Sequence, residues 1–127
     1  GSLPLKNAIE TYEYNREIAK FFVEKGADPT IVMLDNIGLL NNCDYFAIER
    51  AIMLGADISK ISFDTFLELA SYGKENVMKL LLEHGYKYTC KDVLKNKEKL
   101  KQIKNIKKSF WDENDIYYFI IKNTKFK

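Results

Sequence analysis

Glu75-Asn76-Val77-Met78-Lys79-Leu80-Leu81-Leu82-Glu83-His84-Gly85 decides the fold of this chain. Val77, Met78, Leu81 and Leu82 follow one another in steps of one, three and one, so they share one helical face. Lys79 falls on the solvated side. Gly85 stands where the end of a helix needs a residue in a left-handed turn. The same pattern stands twice more upstream. Arg16 to Lys25 precedes Gly26, and Tyr45 to Leu54 precedes Gly55, so the three glycines lie 29 and 30 residues apart.

Counted back from the glycines, the three runs agree column by column. Eight residues before stand Ile18, Ala47 and Val77, and seven before stand Ala19, Ile48 and Met78. Four before stand Phe22, Ala51 and Leu81, and three before stand Val23, Ile52 and Leu82. Lys20, Glu49 and Lys79, six before, mark the water side. Another apolar segment precedes each run: Leu5 to Thr11, Leu34 to Leu40 and Phe66 to Ala70. Gly73 separates the two segments of the third unit, and Asn41, Asn42 and Asp44 separate those of the second. Each unit is thus a helical hairpin that buries its apolar face only by stacking on a neighbour.

Here the residues resemble a known family. Glu75 to Gly85 resembles the second helix and turn of an ankyrin repeat, Arg16 to Asp28 resembles the same piece, and Leu54-Gly55-Ala56-Asp57 is a shorter match. The predicted fold class is all-α: a solenoid of three to four ankyrin-like helical hairpins with a C-terminal capping helix. Residues 3–90 hold three units, and 91–127 hold a worn fourth unit and the cap. The Thr-Pro-Leu-His start of an ankyrin first helix is absent, and Asp64-Thr65-Phe66-Leu67-Glu68-Leu69-Ala70 stands in its place. The period is also short, against about 33 residues in that family. The missing residues fall in the connecting hairpin, so its β-finger is predicted to be stubby.

The resemblance implies protein recognition on a concave face made by first helices and finger tips. The positions it points to are Tyr12, Tyr14, Asn36, Leu40, Asp64, Glu68, Tyr72, Tyr86 and Tyr88. Tyrosine makes binding hot spots at low entropic cost. The Ile/Lys/Asn/Tyr-rich composition and worn repeats also resemble the C-terminal ankyrin domain of the Shigella OspC-type ADP-riboxanase effectors. That implies a host protein partner, an inflammatory caspase, with catalysis lying outside this chain.

Composition bounds the other possibilities. The chain has 127 residues, 46% of them apolar and 30% charged, which suits one domain with a real core. Gly1-Ser2 reads as a cloning scar. The longest apolar stretch, Ile116 to Ile121, falls far short of the roughly 20 residues of a membrane span. Cys43 and Cys90 match no metal or redox spacing and read as reduced thiols, which points to a cytoplasmic workplace.

Net charge is +2, but it is polarised. Residues 1–84 hold 8 basic and 13 acidic groups, whereas residues 85–127 hold 12 basic and 5 acidic groups. The stretch Lys91 to Lys108 carries lysines only, which attract phosphates without the forked geometry that arginine offers. Nucleic-acid binding through this third is the alternative function, and a structural or oligomerisation element is another. Further on, Asp112 caps a predicted last helix, Glu113 to about Lys122, with Trp111 at its hinge.

No enzyme chemistry is expected. His84 is the only histidine and sits where the ankyrin-like pattern often carries one, so a structural role is expected. It leaves no second base and no metal set, and nothing in the spacing brings Cys43 or Cys90 to it. There is no Gly-rich phosphate loop and no nucleophile elbow. No catalytic residue, cofactor or metal is therefore assigned, and the expected state is a monomer with a protein partner.

Overall fold

The computed structural model describes the backbone of residues 3–106 and the side chains of residues 3–102. The first two residues and the expected capping helix, with Trp111 and Asp112, lie outside the described residues. Within them the chain is all-α, with no strand. The helices are α1 (Leu3–Glu10), α2 (Arg16–Glu24), α3 (Pro29–Gly38), α4 (Tyr45–Met53), α5 (Phe63–Ser71), α6 (Glu75–Glu83), α7 (Cys90–Lys95) and α8 (Lys97–Ile106). Single 3₁₀ turns lie at Leu40–Asn42 and Ile58–Lys60.

Short polar residues start these helices. Asn15 accepts from the amides of Glu17 and Ile18, Asp28 from Thr30, Asp44 from Phe46 and Ser62 from Thr65. Thr89 and Asp92 form a reciprocal capping box on α7. α3 starts at Pro29, five residues before the expected Leu34. The signal was present in Asp28-Pro29, a cap followed by proline at the first helical position. Only Ala27 and Asp28 separate Gly26 from α3, so no β-finger forms there.

The glycines end the helices as expected. Gly85 has φ +96°, its amide donates to Leu82 O at 3.1 Å, and the Tyr86 amide donates to Leu81 O at 2.9 Å. This is the Schellman closure, and it recurs at Gly26 and Gly55 with φ +103° and +106°. A Cβ at Gly85 would meet nothing within 4 Å, so only backbone conformation demands glycine there.

The helices pack in successive pairs: α1 on α2, α3 on α4, α5 on α6 and α7 on α8. Between pairs, α1 touches α3 and α4, α4 touches α6, and α5 touches α8. The buried face follows the sequence columns. Ala19, Ile48 and Met78 have no exposed surface. Ala47 and Val77 are each 1% exposed, but Ile18 in the same column is 51% exposed. α4 rests on α1 and α6 rests on α4, while α2 belongs to the first described pair and has no earlier pair to rest on among the described residues. The core centres on α5, where Phe66, Leu67, Leu69 and Ala70 are all fully buried.

Long polar side chains tie one pair to the next. Arg50 on α4 reaches back to the end of α1, where Nη1 donates to Ile9 O at 2.7 Å and Thr11 O at 3.3 Å. These are carbonyls left without helical partners, and a cation also suits the negative end of the helix. The guanidinium lies 4.5 Å from the centre of the Tyr14 ring, a cation–π contact. Between the second and third pairs, Lys74 Nζ donates to Cys43 O at 3.5 Å.

Two expectations follow. Gly85→Ala forces a left-handed alanine and is expected to lower stability by about 1–2 kcal/mol. Gly38→Ala, at the last residue of α3 with open space around it, is expected to raise stability by about 0.5 kcal/mol. Urea unfolding of both variants checks the contrast, and equal signs would contradict the assigned backbone. Arg50→Met keeps most of the bulk but leaves the end of α1 uncapped. Its expected loss is about 1.5–3 kcal/mol, the range for hydrogen bonds to a charged group, read in the same unfolding assay.

Candidate protein-interaction surface

The structure disperses the nine positions implied by the family resemblance. Tyr86 and Tyr88 are core residues and are withdrawn as partner contacts. They fold back from the end of α6 onto α5, with ring centres of Phe66 and Tyr86 4.7 Å apart and of Phe63 and Tyr88 4.9 Å apart. Tyr86 Oη donates to Ile61 O at 2.9 Å. An apolar ring buried against other rings, with its hydroxyl satisfied, offers a partner nothing.

Asn36 is withdrawn for the same reason, since only 4% of its surface is exposed. Its Oδ1 accepts from the Asp44 amide at 2.7 Å, fixing the α3–α4 turn, and its Nδ2 donates to Glu10 Oε1 at 3.5 Å. Leu40 is half-buried and packs against the core from a left-handed backbone, φ +50°. Its side chain holds a strained turn in place and is not displayed.

Asp64 and Glu68 are committed to another helix. Lys99 Nζ on α8 lies 2.6 Å from Asp64 Oδ1 and 3.0 Å from Glu68 Oε1. Partial burial pulls the Lys99 ammonium down, but its hydrogen bonds to the two carboxylates outweigh that and hold it above the ordinary lysine range. The pair therefore joins α5 to α8. It also removes Lys99 from the basic stretch that the nucleic-acid alternative relied on, and Lys101 pairs with Glu98 at 3.6 Å.

Three of the implied tyrosines remain near water. Tyr12 is 99% exposed just after α1, and Tyr72 is 45% exposed at the end of α5. Tyr14 is half-buried beneath Arg50.

The missed surface lies on the second helices. Phe46, the second residue of α4, is 60% exposed and makes an edge contact with Tyr45, ring centres 5.5 Å apart. A groove of about 440 Å³ lies on one side, lined by Tyr45, Phe46, Asn76, Lys79, Leu80 and Glu83. A second of about 290 Å³ lies on the other, lined by Tyr14, Arg16, Phe46, Glu49, Arg50 and Met53. Met53 and Phe21 are also more than half exposed. Contiguous apolar surface of this kind marks interaction sites. Its signal in the sequence was an aromatic two residues after the helix cap, facing away from the glycine-referenced columns.

Burial pushes the Cys43 thiol up, with Lys74 offsetting part of the effect, which is the opposite of an activated nucleophile. His84 is exposed at the C-terminal cap of α6. Among the described residues no three His, Cys, Asp or Glu are grouped to hold a metal. None of the described helices is long and apolar enough to cross a membrane. Comparison with known proteins found no matching family model, curated protein or solved structure.

Tyr86 has a measurable consequence. Burial, aided by Asp92 and Tyr88, raises its hydroxyl to about 12. A raised acid favours the neutral form in the fold. Its contribution is therefore intact below the ordinary tyrosine value of about 10 and is lost as pH rises from there toward the folded value. Near neutral pH, Tyr86→Phe is expected to cost about 1 kcal/mol. Between about pH 10 and 12 the wild type should lose stability more steeply than the variant. Parallel urea midpoints across that range would contradict the burial of a neutral Tyr86 hydroxyl.

Proposed function

We propose that this chain is a short ankyrin-like solenoid that recruits a protein partner across the exposed face of its second helices. Glycine-closed helix pairs at a spacing of 29 and 30 residues support the repeat reading. So does the recurrence of one contact between neighbours, first helix on the next pair's second helix, at α1–α4 and α5–α8. The observation that carries the binding reading is Phe46, 60% exposed between two grooves. The face differs from the family's first-helix face because Asn36, Asp64 and Glu68 are spent on joining helices.

The cytosol is the proposed workplace, in keeping with Cys43 and Cys90 as free thiols. A host inflammatory caspase, the target that the OspC-type resemblance implies, is the first purified partner to test.

The decisive variant is Phe46→Asp. An acid in the first turn of α4 suits the helix dipole, so the fold is retained. Loss of a hot-spot aromatic costs about 2 kcal/mol or more, roughly a 30-fold weaker complex. Purified caspase and host cytosol would each be presented to wild type, Phe46→Asp and Tyr72→Ala. The expected result is a partner held by wild type and Tyr72→Ala and lost by Phe46→Asp. Equal capture by all three proteins refutes the second-helix face.

A further inference from the structure

The chain carries twenty Lys and Arg residues, yet its only two arginines, Arg16 and Arg50, line the same groove. Arg16 is exposed at the start of α2 and has no hydrogen bond or ion pair among the described residues. Arg50 spends Nη1 on the carbonyls of Ile9 and Thr11. Its Nη2 and Nε have no partner among the described residues, and no fully buried polar side-chain atom there is unsatisfied, so neither is fully buried. The cation–π contact with Tyr14 at 4.5 Å and the Nη1 hydrogen bonds together restrain the guanidinium. An arginine held in this way loses little further freedom when it binds.

The groove is therefore a forked cationic site beside an apolar wall. Phe46 and Met53 supply the wall, 60% and 53% exposed. Glu49 is the one acid in the lining and forms no ion pair with either arginine. Two guanidinium groups against one carboxylate leave the groove positive. Guanidinium matches a carboxylate through two parallel hydrogen bonds, which a lysine ammonium cannot do. The surroundings limit the ligand further. Residues 1–84 hold 13 acidic and 8 basic groups, so a run of acids is repelled while a single one is received locally.

We propose that this groove binds a linear segment of the partner protein that presents one carboxylate beside a bulky apolar side chain, within an otherwise neutral or basic stretch. The carboxylate pairs with Arg16 and Arg50, and the apolar group lies against Phe46 and Met53. The inference rests on the reading of the chain as a protein-binding module and names what that module selects.

The test is selection of a random twelve-residue peptide library on the immobilised full chain, followed by affinity measurement with synthetic peptides. Arg16→Glu is the diagnostic variant, because the exposed Arg16 side chain makes no hydrogen bond or ion pair among the described residues. Enriched peptides should share an acid next to an aromatic or large aliphatic residue and bind Arg16→Glu at least tenfold more weakly. Replacing that acid by its amide should cause a similar loss in wild type and little in Arg16→Glu. Absence of enrichment overturns the proposal, as does tight binding of the acidic peptides to Arg16→Glu. Enriched peptides that lack an acid yet are lost on Phe46→Asp overturn the carboxylate while leaving the second-helix face intact, which separates the two failures.

Discussion

Helices of eight to ten residues, as α1 to α6 are, are too short to be stable alone in water. Everything else in this structure depends on that constraint. Each helix must gain its stability from packing, and two such helices bury only one face of each other. The apolar columns therefore continue from pair to pair, and a side chain such as Ile18 stays wet where no described helix covers it. Stability in such an array is carried by neighbour contacts. α5, with Phe66, Leu67, Leu69 and Ala70 fully buried, packs in this way on both α6 and α8.

The polar side chains follow from the same constraint. Short helices have many ends, and each end exposes backbone groups that need partners. Local caps answer some of these: Asn15, Asp28, Asp44, Ser62 and Thr89. Others are answered from a distance. Arg50 holds the carbonyls at the end of α1, Asn36 holds the amide of Asp44, and Tyr86 holds the carbonyl of Ile61. Lys99 gathers two carboxylates of α5 onto α8. Residues of the types favoured at binding interfaces have here become the fasteners between helix pairs. The proposed partner surface centres on Phe46, beside the one fastener, Arg50, that also lines its groove.

In the proposed reading, one residue of the groove beside Phe46 serves both purposes. Arg50 closes α1 with one nitrogen and is held over the Tyr14 ring, with its other nitrogens left unpartnered among the described residues. A group rigidified for structural reasons is also preorganised for recognition. Arg16 adds a second cation on the neighbouring helix, where the pairing of α1 with both α2 and α4 places it close by.

By itself the sequence determined the second helices, their glycine ends and most of their buried faces, because these depend on residues within one turn or one hairpin of each other. Gly26, Gly55 and Gly85 set the period, and the column of Ala19, Ile48 and Met78 found the core. Asp28-Pro29 even marked the true start of α3. Tertiary structure alone decided which polar and aromatic residues remain free. Asn36 meets Glu10 across 26 positions, Arg50 meets Ile9 across 41, and Lys99 meets Asp64 across 35. Periodicity within a helix carries no information about such partners. The same holds for Arg16 and Arg50, which stand 34 positions apart in the chain. Only the packing of α2 and α4 around α1 makes them two walls of one groove.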